Sequence, residues 1–99
     1  MDIKIKAIHF DASEKLEAFV EKKVSKLEQF YDGIIMADVS LKVIRPEAVK
    51  NKSASIRIKI KNGDCFAEKI CDTFEEAVDT AVEALEKQLL KYKTKSKTK

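Results

Sequence analysis

Residues 53 to 61 read SASIRIKIK, and no other stretch restricts the fold as tightly. Ala54, Ile56, Ile58 and Ile60 alternate without a break against Arg57, Lys59 and Lys61, the two-residue period of a strand with one apolar and one polar face. Such a strand is stable only inside a sheet whose apolar side is covered and whose other side meets water. The rest of the chain must supply the neighbouring strands and the covering layer.

It does so in a definite order. IKIKA alternates Ile3, Ile5 and Ala7 against Lys4 and Lys6, and ADVSLKVI alternates Val39, Leu41 and Val43 against Asp38, Ser40 and Lys42. Between them, Leu16, Phe19, Val20, Val24, Leu27, Phe30 and Tyr31 recur at three- and four-residue steps, which gathers them on one side of a helix. Ser13 caps this helix, with Asp11 and Glu14 as an alternative capping pair, and Asp32-Gly33 is expected to close it through a residue free to take positive φ. RPEAVKNK, with the only proline, reads as an exposed connection. Asn62-Gly63 signals a type I′ hairpin leading into DCFAEKIC as a fourth strand. The facing of that strand is open: Cys65, Ala67 and Cys71 form one candidate inner row, Phe66 and Ile70 the other. Asp72 or Thr73 caps a second helix whose stripe runs from Phe74 through Ala77, Val78, Ala81, Val82, Leu85 and Leu89 to Tyr92. The expected architecture is an α+β fold of order β-α-β-β-β-α, with two helices packed on one face of a four-stranded sheet.

At 99 residues the chain makes one domain, 1 to 99, with a basic end at 93 to 99 that frays beyond the last apolar anchor. No segment approaches the roughly 20 apolar residues that span a bilayer, and the N-terminus alternates Lys and Ile, so the chain reads as cytoplasmic with no membrane partner. Cys65 and Cys71 bracket a strand that holds them about 20 Å apart, too far for a mutual disulfide. His9 is the only histidine and reads as a loop or packing residue; zinc-ligand spacing is absent, and no metal or cofactor is expected. Nor is there a base beside a nucleophile or a glycine-rich phosphate loop, which argues against an enzyme with a small-molecule substrate.

Charge points elsewhere. Fourteen of the 20 basic residues share residues 1 to 86 with all 17 acids, a balance of −3, whereas KQLLKYKTKSKTK at 87 to 99 contributes +6. That asymmetry calls for an anionic partner. On the second helix, Lys87, Lys91 and Lys95 fall roughly opposite Leu85, Leu89 and Tyr92, so they are displayed while the helix stays docked. The helix-one acids Glu14, Glu17, Glu21 and Glu28 interleave with lysines as on a solvated helix face. The outward sheet positions Lys4, Lys6, Lys42, Arg57, Lys59 and Lys61 are nearly all basic, which either covers an open face or adds to a binding surface. IRIKIKNG offers no outward aromatic pair for base stacking, so phosphate and shape contacts should dominate.

LEAFVEKKVSKLEQFYD, VSLKV, NGDCFAE and DTFEEAVDTAVEALEKQLLKYKTK together resemble the ribosome hibernation-promoting factor family, also called ribosome-associated inhibitors. The likeness covers nearly the whole chain. Its most specific parts are KVSKLEQFYD, the Asp72-x-Phe74-x-x-Ala77-Val78-Asp79 opening of helix two, where the family commonly has tyrosine at Phe74, and LEKQLLKYKTK. The resemblance implies a fold like that of double-stranded-RNA-binding domains. It also implies binding to the small ribosomal subunit and its ribosomal RNA, in the channel of messenger and transfer RNA, with translation inhibited in stationary phase or stress. On the family's pattern Lys22, Lys23 and Lys26 of helix one and Lys87, Lys91, Lys93 and Lys95 of helix two are the expected RNA contacts. A short form without the C-terminal dimerisation domain of long members is implied; of such short forms some favour ribosome dimers with a second factor and others hold inactive monosomes, and both outcomes stay open. The competing reading is a generic double-stranded-RNA-binding module. An acylphosphatase-like enzyme would need a strand where Phe74 to Tyr92 is helical, and a membrane role would need an apolar face that the core already uses.

Overall fold

The computed structural model describes residues 2–8, 10–44, 50–61 and 63–97, with side chains described as far as Tyr92. The expectations for His9, for residues 45 to 49 of the proline-containing connection and for Asn62 lie outside the described residues. The elements run β1 (Asp2–Ile8), α1 (Glu14–Ser25) with a following 3₁₀ turn (Lys26–Gln29), β2 (Ile34–Val43), β3 (Lys52–Ile60), β4 (Gly63–Cys71) and α2 (Phe74–Lys97). The sheet order is β1-β2-β3-β4, parallel between β1 and β2 and antiparallel elsewhere. A parallel pair needs a crossover, and α1 supplies it.

Local chemistry accounts for the element ends. The Ser13 hydroxyl accepts the Leu16 N–H at 3.1 Å, and the Thr73 hydroxyl accepts the Glu76 N–H at 3.1 Å, so both helices start on side-chain caps. The end of α1 departs from expectation. The helix tightens into the 3₁₀ turn, Phe30 keeps right-handed dihedrals, and Gly63 is the only glycine at positive φ. Gly33 is needed for a different reason: a Cβ there would stand 2.7 Å from Cε2 of Tyr31, so the aromatic ring occupies the space a side chain would fill.

The hairpin departs as well. Ile60 pairs directly with Gly63, so Gly63 is the first residue of β4 instead of the second turn residue. Its φ is +154°, and a Cβ would lie 3.2 Å from the Tyr92 hydroxyl, which closes over this end of the sheet. In β2 a bulge between Ile34 and Met36 turns Ile35 outwards. Ile34 and Ala37 are three residues apart, an odd step that an alternating strand cannot turn inward twice without one extra residue.

All inward rows meet in one core. Ala37, Val39, Leu41, Ala54, Ile56 and Ile58 are fully buried, as are Val20 and Val24 of α1, Leu27 of the 3₁₀ turn and Ala77, Val78, Ala81, Leu85 and Leu89 of α2. α2 lies across β3 and β4, with α1 beside it. Phe10 stacks on Phe74 at 4.6 Å and seals the end where both helices begin. Strand four resolves towards the first of its two readings: Cys65 and Ala67 face the core, while Phe66 and Ile70 are about half exposed on the outer face. Both cysteines are free.

Candidate nucleic-acid interface

The register gives most outward side chains a cross-strand neighbour, and the outer sheet face is less basic than its strands suggest one by one. Lys4 stands beside Asp38, Asp38 beside Arg57, and Lys59 beside Asp64. Arg57 reaches Asp64 at 3.9 Å and lies 5.5 Å from the centroid of Phe66, and Ser55 donates to Glu68 at 2.9 Å. Alternating signs of this kind cover an open face and largely cancel. Phe66 is a single outward aromatic, and no outward aromatic pair occurs among the described residues.

Charge on α1 is sorted instead of interleaved. At 100° per residue, Lys15 and Lys22 of α1 fall about 20° apart, with Lys26 following in the 3₁₀ turn, and Glu14, Glu17 and Glu21 share another arc roughly 120° away, with Glu28 also in the 3₁₀ turn. All seven are exposed. The i,i+4 pairing expected from their spacing is not what the helix provides, because i+4 from Lys22 is Lys26 and from Glu17 is Glu21. Glu14 and Glu17 sit in the first turn and Lys22 and Lys23 in the last, each at the end of the helix dipole that favours it.

The candidate lysines separate into distinct environments. Lys22 and Lys26 are exposed on the basic arc, which Lys15 extends by one heptad. Lys23 points to α2, where its ammonium meets Asp79 at 3.0 Å and lies 5.7 Å from the Phe19 ring. It joins the helices and shares its charge with an acid. Lys87 and Lys91 are exposed on the β4 side of α2. Asp79 and Glu86, seven residues apart and so on one flank, separate them from α1. Lys93 and Lys95 belong to the helix, but their side chains lie outside the described residues.

What fixes the α2 lysines in place is the edge of the sheet. β4 is an edge strand, with backbone groups pointing away from β3. Gln88 pairs with one residue of that edge: its Oε1 accepts the Phe66 N–H at 3.2 Å and its Nε2 donates to the Phe66 carbonyl at 2.9 Å. Tyr92 donates to the Asp64 carbonyl at 3.5 Å. Nearer the start of α2, the Thr80 hydroxyl donates to its own helix, to the Glu76 and Ala77 carbonyls at 2.9 and 3.1 Å. With that proton committed, the Cys71 thiol, 3.9 Å away, is the donor to the Thr80 oxygen. Two open grooves lie along this seam. One of about 430 Å³ is lined by Lys69, Cys71, Thr80, Glu83, Ala84 and Lys87. One of about 280 Å³ is lined by Asp64, Gln88, Lys91 and Tyr92.

Lys15 and Lys69 are absent from the sequence-based candidates. Lys15 was legible, since 15, 22 and 26 share one helical face; Lys69 was not, because its direction depends on how β4 faces. Among the described residues no group of three His, Cys, Asp or Glu side chains is placed to hold a metal ion, and no helix is long and apolar enough to cross a membrane. Burial, with repulsion from Asp64 as a smaller cause, pushes the Cys65 thiol above its ordinary range.

Comparison with known proteins extends over the same surfaces. Residues 3–97 match the family described as Sigma 54 modulation protein / S30EA ribosomal protein. A ribosome hibernation promoting factor of Escherichia coli is 32% identical over 97 residues, 98% of each chain. A ribosome hibernation promotion factor of Deinococcus radiodurans is 31% identical over 87 residues, 86% of this chain but 45% of that one. The chain spans about half the length of such longer relatives. A ribosomal subunit interface protein from Coxiella burnetii superposes with a TM-score of 0.84 at 26% identity, over 95% of this chain and 99% of that one.

Proposed function

The chain belongs to the Sigma 54 modulation protein / S30EA ribosomal protein family, and from that membership we propose that it is a non-enzymatic ribosome hibernation factor of the cytoplasm. It binds the small ribosomal subunit through ribosomal RNA in the channel of messenger and transfer RNA, and so inhibits translation in stationary phase or stress. The observation that carries this reading is the exposure of Lys22, Lys26, Lys87 and Lys91 on the helical layer with no acid paired to them among the described residues. The outer sheet face, by contrast, largely neutralises itself. Each lysine that meets a phosphate releases condensed counterions, so four to six of them supply substantial affinity before any shape recognition is added. Lys93 and Lys95 extend the α2 track, and Lys23 joins if a phosphate displaces Asp79.

The test is co-sedimentation with purified small subunits across a salt series, with excess duplex RNA as competitor. Retention that duplex cannot displace, abolished by Lys87→Glu, Lys91→Glu and Lys95→Glu together in a protein that still folds, is the expected result. Equal affinity for free duplex would replace this reading with a generic double-stranded-RNA-binding module. Unchanged affinity of the triple variant would remove the lysine assignment.

A further inference from the structure

We propose that Lys69 of β4 and Lys87 of α2 jointly hold one phosphodiester of the ribosomal RNA backbone in the groove between strand edge and helix. This deepens the ribosomal reading and rests on it. The two lysines come from different elements, 18 residues apart in sequence, yet line one groove of about 430 Å³, room for a phosphate with its flanking sugars. Neither forms an ion pair among the described residues, whereas Lys23 and Arg57 do. Glu83 lies one turn before Lys87, the i,i+4 arrangement that ordinarily pairs, and no ion pair joins them. With Glu83 included the groove carries a net charge of +1, which matches the single negative charge of a phosphodiester.

The groove is also built rather than incidental. Its floor is Cys71, Thr80 and Ala84, and the Cys71 and Thr80 side chains are held against each other and the α2 backbone. Gln88, the next residue after Lys87, is tied to the β4 backbone at Phe66. The separation of the two lysines is therefore set by the docking of α2 on β4. An anion between them balances the charge that Glu83 leaves over in the groove, and replacing either lysine removes one of its two cationic partners.

The experiment compares wild type, Lys69→Gln, Lys87→Gln, the double variant and Lys59→Gln for binding to small ribosomal subunits over a salt series, with duplex RNA as competitor and urea midpoints to verify folding. Loss of one phosphate contact lowers the log–log salt slope by about 0.7 to 0.9 and weakens binding about five-fold at 0.1 M salt. Lys69→Gln and Lys87→Gln should each show that loss, and the double variant little more than either, because both lysines serve one phosphate. Lys59→Gln, on the outer sheet face, should bind as wild type. A Lys69→Gln protein with wild-type affinity and slope overturns the shared site, as do strictly additive losses or an equal loss in Lys59→Gln. If duplex RNA strips the wild type itself from the subunits, the ribosomal reading fails and the groove with it. Wild-type retention with an unaffected Lys69→Gln removes the groove alone.

Discussion

Replacing Gln88 with alanine should loosen the seam between α2 and the edge of the sheet by a measurable and local amount. The side chain makes two hydrogen bonds to Phe66, accepting at 3.2 Å and donating at 2.9 Å, so its amide stands in for one residue of a missing fifth strand. A neutral hydrogen bond contributes about 0.5 to 1.5 kcal/mol net, and at this exposed edge water replaces part of what is lost, so the pair together is worth about 1 kcal/mol. In a domain of this size that lowers the melting temperature by about 4 to 8 °C. The distinguishing measurement is hydrogen exchange. If the Phe66 amide exchanges by local opening of this seam, about 1 kcal/mol accelerates it roughly five-fold while amides of β2 and β3 change less. Gln88→Leu keeps the volume without the hydrogen bonds and should match Gln88→Ala. Identical Phe66 exchange in wild type and Gln88→Ala would mean that the amide contributes nothing to holding the helix on the strand.

Three further outcomes are expected. Gly63→Ala, forced to φ near +154° with its Cβ 3.2 Å from the Tyr92 hydroxyl, should lose about 1 to 3 kcal/mol in urea unfolding, and less in a Tyr92→Phe background where the hydroxyl is gone. Asp79→Asn should cost under about 1 kcal/mol of stability, since the Lys23–Asp79 pair is partly exposed, yet raise the salt slope of subunit binding by about 0.7 to 0.9 if the released Lys23 reaches a phosphate; an unchanged slope would confine Lys23 to joining the helices. The Cys65 thiol is pushed up by burial, so the folded state holds its proton where the unfolded chain has lost it. Stability should therefore fall as pH rises past the unfolded thiol's pKa of about 8.5, and Cys65→Ala should remove that component of the slope in urea titrations at pH 7 to 10.

The features legible in the sequence are those decided within one element. Ser13 and Thr73 are recognisable caps because a cap needs only the residues that follow it, and the rows Ala54 to Ile60 and Phe74 to Leu89 bury themselves because periodicity is a local property. What escaped depends on partners distant in sequence. Gly33 is expected at positive φ but is constrained by the Tyr31 ring instead, whereas Gly63 has the expected positive φ but opens β4, with the Tyr92 hydroxyl over it. The outer sheet positions looked basic strand by strand, and only the register sets Asp38 beside Lys4 and Arg57. Of the candidate site, Lys22, Lys26, Lys87 and Lys91 are displayed as their helical positions imply. Lys23 is occupied by Asp79, a residue 56 positions away that no local pattern ties to it.

The same distinction bears on how the lysines of α2 meet a partner. Two turns of this helix serve three surfaces at once: Leu85 and Leu89 are fully buried, Gln88 is bound to β4, and Lys87 and Lys91 are exposed. Rotating α2 to bring another lysine onto a phosphate would gain a contact worth about 1 kcal/mol at 0.1 M salt. It would also lift Leu85 and Leu89 from the core at about 1.5 to 3 kcal/mol each and break both bonds to Phe66. The rotation loses by a wide margin. Presentation of Lys87 and Lys91 is therefore set by the core, and under the proposed function an RNA surface must bring its phosphates to the spacing that the packed helix already has.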